Sequence, residues 1–175
     1  MDLKLQGKKA FISGSTSGIG LAIAKSLASE GAEIMINGRS EESVKKATDL
    51  IESTVAGAKV VGCAVNFEKA DEINSLHEAL KKVDILVNNV GIFTSQSFQE
   101  TPDEDWLRLF EVNVMSGVRL SRMALPGMLK RNDGRIIFIS SECSQLVPPD
   151  LIAYSTTKTA LHALSRGLAQ LTRGK

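Results

Sequence analysis

The sequence predicts one α/β domain, a parallel sheet covered by helices on both faces, and two observations carry that prediction. Short runs rich in Val, Ile and Leu alternate with stretches of helical periodicity, in the order β-α-β-α-β-α-β-α-β-α. The runs are nearly continuously apolar, which is the pattern of strands buried on both faces. The chain of 175 residues is long enough for one sizeable core. No linker, repeat or low-complexity segment divides it, so residues 1–175 are read as a single domain.

Each element has its own signal. Lys9 to Ser13 (KAFIS) is a short strand that ends at Gly14. Ile19, Ala22, Ile23, Leu27 and Ala28 then repeat with helical spacing from Gly18 to Glu30, and Gly31 stops the helix. Glu33 to Asn37 (EIMIN) is the second strand. Ser40 is a good N-cap for a helix from Glu41 to Val55. Val60 to Val65 is the third strand, and a polar helix from Ala70 to Lys81 follows it. Asp84 to Asn88 (DILVN) is the fourth strand. A long amphipathic helix is expected from Pro102 to Lys130, with Thr101 as N-cap and Pro102 in its first position. Asn132-Asp133-Gly134 turns the chain into a fifth strand, Arg135 to Ser140. A loop with Pro148-Pro149 leads to a last helix from Leu151 to Leu171.

Composition narrows the classes of function. Hydrophobic residues make up 43% and charged residues 23%, and the net charge is +1. No basic stripe marks a nucleic-acid partner. No segment approaches the 18 apolar residues of a membrane span, and the first ten residues lack an apolar signal core. A cytoplasmic protein is the expectation. Cys63 and Cys143 have no metal-ligand spacing, and Cys63 reads as a buried thiol. His77 and His162 are isolated on helices, so no metal site is expected.

The first strand runs into GSTSGIG. Gly14, Gly18 and Gly20, with Ser15, Thr16 and Ser17, stand where a strand meets a helix. Glycines there let backbone N–H groups approach a pyrophosphate, and the helix N-terminus favours its charge. The spacing is neither G-x-G-x-x-G nor a P-loop, and an ordinary βα turn is the plainer alternative. The second strand ends in Asn37-Gly38-Arg39-Ser40. No acid is placed there to bond a ribose 2′-hydroxyl, whereas Arg39 can pair with a 2′-phosphate, which favours NADP(H) over NAD(H). Arg39 as a solvated residue remains the alternative. Near the end of the chain Tyr154 and Lys158 share one helix face, after Ser141. A free tyrosine has a pKa of about 10, and bringing it to 7 takes about 4 kcal/mol. A nearby cation acts in that direction. A surface tyrosine beside a solvated lysine is the alternative for that pair alone.

Taken together, Gly14-x-x-x-Gly18-Ile19-Gly20, Asn88-Asn89-Val90-Gly91, Asn113 in FEVNVMSG, and Ser141 with Tyr154-x-x-x-Lys158 resemble the short-chain dehydrogenase/reductase family over the whole chain. The resemblance implies a Rossmann-type doubly wound sheet in the order 3-2-1-4-5, with cofactor at the switch point between strands 1 and 4. It implies that Gly14, Ser17, Gly18, Ile19 and Gly20 cradle the pyrophosphate. Ser15, Arg39, Ser40, Asn66, Asn89 and Gly91 complete the candidate cofactor contacts, with Asn66 at a position where aspartate usually bonds the adenine. Tyr154 would be the acid/base, and Lys158 would lower its pKa and hold the nicotinamide ribose. Ser141 would orient the substrate oxygen, and Asn113 would position a water in a relay to Lys158. The implied reaction is hydride transfer between NADP(H) and a carbonyl or secondary alcohol; a non-catalytic dinucleotide binder or an inactive truncated fragment is the rival reading.

Departures from the family pattern are Ser13 for threonine, Val90 for alanine and Asn66 for aspartate, and Ser17 is not basic. Family members continue beyond the YxxxK helix with two more strands and a substrate-binding helix. The chain is therefore expected to be part of a longer enzyme, with its fifth strand as an open edge; a naturally short product is the alternative. The resemblance also implies a homo-oligomer through the helices around 103–130 and 151–171, where Leu109, Val112, Leu161, Ala163 and Leu164 are the apolar candidates.

Overall fold

The structure is a computed structural model that describes residues 3–172. The extreme ends read above, 1–2 and 173–175, lie outside the described residues. Five strands form one parallel sheet: β1 (Lys9–Ile12), β2 (Glu33–Gly38), β3 (Lys59–Ala64), β4 (Ile85–Asn88) and β5 (Arg135–Phe138). Their order is β3-β2-β1-β4-β5, the order expected of a doubly wound sheet. The chain reverses direction across the sheet between β1 and β4, which opens a crevice at their C-terminal ends.

The two-residue period of the strands divides the core into two layers. On one face Ala10, Ile12, Ile34, Ile36, Ile85 and Val87 pack against α1 (Gly18–Ser29) and α2 (Glu41–Thr54) through Ala24, Ala28, Ala47 and Ile51. On the other face Phe11 and Leu86 meet α3 (Ala70–Asn74), α4 (His77–Leu80) and α6 (Ser116–Arg131) through Ile73, Leu80, Leu120, Ala124 and Met128. Burial on both sides explains why the central strands lack polar alternation. Ser40 caps α2, with its Oγ accepting from Ser43 N–H at 3.3 Å. Cys63 donates to Ile36 O at 3.3 Å, and burial pushes its thiol pKa up to about 11, so it stays protonated.

Two helices differ from expectation. The polar helix over 70–81 is two short pieces, α3 and α4, because Ser75 turns its hydroxyl onto Glu72 O at 2.7 Å and competes with the helical ladder. The long helix begins at Asp103 as α5 (Asp103–Phe110), with Pro102 rather than Thr101 at its N-cap. Thr101 Oγ1 instead donates to Ser97 O at 2.8 Å. That helix also passes through a π-helical turn, Glu111–Met115, before α6. There Ser116 N–H bonds Glu111 O and Ser116 Oγ takes up Val112 O, which accommodates the extra residue.

The chain closes with a 3₁₀ turn, Glu142–Ser144, and α7 (Ile152–Leu171). Leu109, Val112 and Leu161 are buried within this same chain, so they face inward rather than toward a partner, while Ala163 is exposed. β5 is an edge strand with Ile137 45% exposed, and beside it a cavity of about 340 Å³ is lined by Ile136, Phe138, Leu168 and Ala169 among others. No helix among the described residues is long and apolar enough to cross a membrane.

Candidate active site

The glycine loop leaves β1 by a left-handed turn at Gly14 (φ 60°) and enters α1 through a second at Gly18 (φ 54°). Only glycine takes these conformations without strain. Gly20 serves a different need, since a Cβ there would lie 2.5 Å from Gly14 O and 2.9 Å from Ser15 Cα. The helix N-terminus is thereby pressed onto the loop. Ser17 caps α1 without a side-chain hydrogen bond, so the first-turn N–H groups remain directed out along the axis. Around Gly18 there is open space for a ligand.

Two predicted contact residues are turned away from this space. Ser15 is fully buried; its Oγ donates to Ile12 O at 2.7 Å and accepts from Asn37 N–H at 2.9 Å. It pins the loop to the sheet. Ser40 uses its hydroxyl on α2, accepting from Ser43 N–H and donating to Ser43 Oγ at 3.0 Å.

A cleft of about 290 Å³ runs along the crevice, lined by Gly14, Ser17, Arg39, Asn66, Asn89 and Gly91 among others. Arg39 is exposed at its margin and makes no ion pair among the described residues. Asn66 is already engaged, its Oδ1 accepting from Glu68 N–H at 3.0 Å. Asn89 reaches back to the glycine loop, with Nδ2 donating to Ser13 O at 3.0 Å and Gly14 O at 2.9 Å. Asn88 points the other way, onto Ser121 Oγ at 3.3 Å.

Two residues with little signal in the sequence hold this crevice together. Asn37 Oδ1 accepts from Gly14 N–H at 3.0 Å, while its Nδ2 donates to Val65 O at 3.2 Å and to Gly38 O and Cys63 O at 3.3 Å. Ser13 Oγ accepts from Asn89 N–H at 2.9 Å and Val90 N–H at 3.1 Å, joining the ends of β1 and β4. Asn37 appeared only as a missing acid and Ser13 only as a threonine substitute, because neither long-range partner is visible from the sequence.

Beyond Gly91 the crevice meets the π-helical turn and α7. Asn113 is buried, its Oδ1 accepting from Ile92 N–H at 2.7 Å and its Nδ2 donating to Ile92 O at 2.8 Å and Thr157 Oγ1 at 3.0 Å. Both amide protons are therefore used on protein, and the side chain holds the loop after β4 against α7. Lys158 is only 4% exposed, and burial holds its ammonium pKa below the ordinary lysine range. Its Nζ donates to Ile139 O at 2.9 Å and lies 5.7 Å from the centre of the Tyr154 ring. A methyl group at Gly91 would sit 3.2 Å from that Nζ and 3.7 Å from Asn113 Oδ1, so cleft, lysine and asparagine converge there. Tyr154 is half-buried, with Phe93 edge-on at 6.0 Å. Ser141 opens the 3₁₀ turn, and its Oγ accepts from Cys143 N–H at 3.2 Å.

Comparison with known proteins gives this arrangement a context. Residues 8–175 match the family model of the short chain dehydrogenases. The chain is 47% identical over 174 residues to the uncharacterized oxidoreductase YvaG of Bacillus subtilis, covering 99% of this chain and 66% of that protein. Among solved structures it resembles L-sorbose reductase from Gluconobacter frateurii complexed with NADPH and L-sorbose. That match has a TM-score of 0.91 and 36% identity over 97% of this chain and 66% of that one. It also resembles a 7 alpha-hydroxysteroid dehydrogenase complexed with NADH and 7-oxo glycochenodeoxycholic acid, with a TM-score of 0.90 and 31% identity over 98% of this chain and 68% of that one. The chain thus spans about two thirds of the length of these relatives. With its glycine loop, its strand order and the convergence at Gly91 all on one framework, the chain belongs to the short-chain dehydrogenase family.

Proposed function

We propose that the chain carries the cofactor crevice and proton-transfer group of an oxidoreductase acting between NADP(H) and a carbonyl or secondary alcohol. The observation that carries this reading is Lys158, a buried cation beside Tyr154 and next to Gly91 at the end of the crevice. A buried charge is costly unless it serves a partner, and its single protein acceptor, Ile139 O, leaves further donor capacity.

The crevice fits a dinucleotide. The α1 N-terminus, with Gly14, Ser17, Gly18 and Ile19, would hold the pyrophosphate, and Gly20 lets the helix approach. Arg39, which makes no ion pair among the described residues, would hold a 2′-phosphate, and the end of β2 carries no acid to bond a ribose 2′-hydroxyl, the basis for NADP(H) over NAD(H). Asn66 would border the adenine, and Asn89 and Gly91 the adjoining ribose. Such a cofactor, when bound, supplies or takes up the hydride.

The chain's own residues handle the proton. Tyr154 gives its phenolic proton to the substrate oxygen in reduction and takes one in oxidation. Lys158 places positive charge where negative charge develops and donates to the ribose hydroxyls. Ser141 orients the substrate oxygen through its hydroxyl. Asn113 keeps the Ile92 loop and α7 in fixed relation, and the remaining lone pair of its Oδ1 is available to a water. The Ile92 loop and the segment 142–153 border the substrate side, where Phe93 adds an exposed apolar ring against Tyr154.

Tyr154→Phe tests the reading. Turnover on a panel of ketones and β-keto esters is expected to vanish, while NADPH affinity read by fluorescence stays within about threefold, since only one hydroxyl is removed. Wild-type turnover by that variant would sink the assignment. Binding by the wild type without turnover of any candidate would leave a dinucleotide-binding protein instead. We also propose that copies associate through α5 and α7; on α5 Leu107 (70%) and Phe110 (41%) remain exposed.

A further inference from the structure

His162 stands on α7, one turn beyond Lys158, and has no part in the chemistry assigned above. It is half-buried, and its Nε2 lies 2.8 Å from Ser140 Oγ and 3.4 Å from Ser144 Oγ. These two serines bracket Ser141. Ser140 Oγ also lies 3.3 Å from Lys158 O, and Ser144 Oγ lies 2.6 Å from Ser141 O. A carbonyl only accepts, and a hydroxyl has one proton to give. Both serine protons are thereby committed to carbonyls, and both hydroxyl oxygens meet the ring as acceptors. The four contacts are satisfied together only when Nε2 carries the imidazole proton.

We propose that His162, as its Nε2–H tautomer, is a positioning residue that fixes the 140–144 segment, and with it Ser141, onto the helix that bears Tyr154 and Lys158. The inference rests on the oxidoreductase reading for its consequence in turnover, but its geometry stands in the cofactor-free chain. The need for such a tie follows from the chain's course. Ser141 arrives from the end of β5, whereas Tyr154 and Lys158 arrive on α7 after a loop containing Pro148 and Pro149. The Ser141 hydroxyl itself is held by one neighbour, the Cys143 N–H. Its orientation is therefore inherited from the segment around it. That segment meets α7 at Lys158 Nζ through Ile139 O, at Thr159 Oγ1 through Ser144 O (3.2 Å), and at His162. His162 is the contact that engages both sides of Ser141 at once.

The test has two parts, on the full chain. Nitrogen-15 NMR of the cofactor-free protein, at a pH where the ring is neutral, reads the tautomer directly. The sequence has two histidines, so His77→Gln assigns the signal. A dominant Nε2–H form is expected, and a dominant Nδ1–H form overturns the proposal. The second part compares His162→Leu with His162→Gln, whose amide N–H can replace the ring donor. In the leucine variant, exchange of the Cys143 amide should quicken about tenfold as its bond to Ser141 loosens. Its kcat should fall on the order of 100-fold from misplacement of Ser141, with NADPH affinity within about threefold. The glutamine variant should recover most of both losses. Wild-type kcat and exchange in the leucine variant, or a glutamine variant no better than leucine, overturns the proposal. If the leucine variant does not fold, the tautomer and the glutamine variant decide. If the wild type turns over no substrate, the oxidoreductase reading fails, while tautomer and amide exchange still judge the tie.

Discussion

Asn37 shows how much one side chain decides at the residue scale. Its amide bonds the glycine loop, its own strand end and the end of β3 at once. Only an amide has the acceptor and donors this needs. Asn37→Asp would turn a carboxylate oxygen toward three carbonyl oxygens in a buried position. It should lower the unfolding free energy by about 3 kcal/mol in urea titration, and an unchanged midpoint would count against the role given to that amide. Lys158 makes a second prediction at this scale. Burial lowers its folded-state pKa below the ordinary value of 10.5. Between the two values the unfolded chain binds more protons, so this group's contribution to stability rises with pH there. The stability of the wild type relative to Lys158→Met should accordingly improve as pH rises from the lowered folded-state pKa toward 10.5; a pH-independent difference would contradict it.

At the scale of elements, the α1 N-terminus is the part of the crevice proposed to hold the pyrophosphate, and its glycines are not equivalent. Gly20 is required by space and Gly18 by backbone conformation. Gly20→Ala should cost about 1–3 kcal/mol through overpacking against Gly14 O and should weaken NADPH binding by tilting the helix. Gly18→Ala has room for its methyl group and should cost only about 1–2 kcal/mol of left-handed strain. Thermal unfolding and NADPH titration of both variants separate the two reasons, and equal effects would show that the distinction is wrong. The π-helical turn is the other decisive element. It interrupts a helix that the periodicity reads as continuous, and it carries Asn113 to the loop after β4 and to Thr157.

Across the whole molecule, two of the apolar surfaces open to solvent bear on self-association. One is the α5 face with Leu107 and Phe110; the other is the β5 edge with Ile137. Association through α5 and α7 predicts that light scattering finds a dimer, that Leu107→Glu shifts it to monomer, and that Ile137→Lys does not. The reverse result would locate self-association at the sheet edge, where an exposed strand templates pairing.

Beside the strand order that the family resemblance implied, the sequence by itself determined the alternation of strands and helices, the glycine loop and the helix face that Tyr154 and Lys158 share. These depend on local pattern: continuous apolar runs, glycines at a strand–helix junction, and two residues on one helix face. Helix bounds were legible where a cap or glycine marks them, as at Ser40 and Gly31, but not at Ser75 or the π-helical turn, where side-chain to backbone bonds compete with periodicity. Only the tertiary structure decided that Ser15 is a buried pin, that Asn113 binds Ile92, and that Asn37, Ser13 and His162 join distant segments. The physical reason is the same in each case. A short polar side chain takes its role from whichever backbone groups the fold brings within about 3 Å of it, and a parallel sheet gathers those groups from strands far apart in sequence.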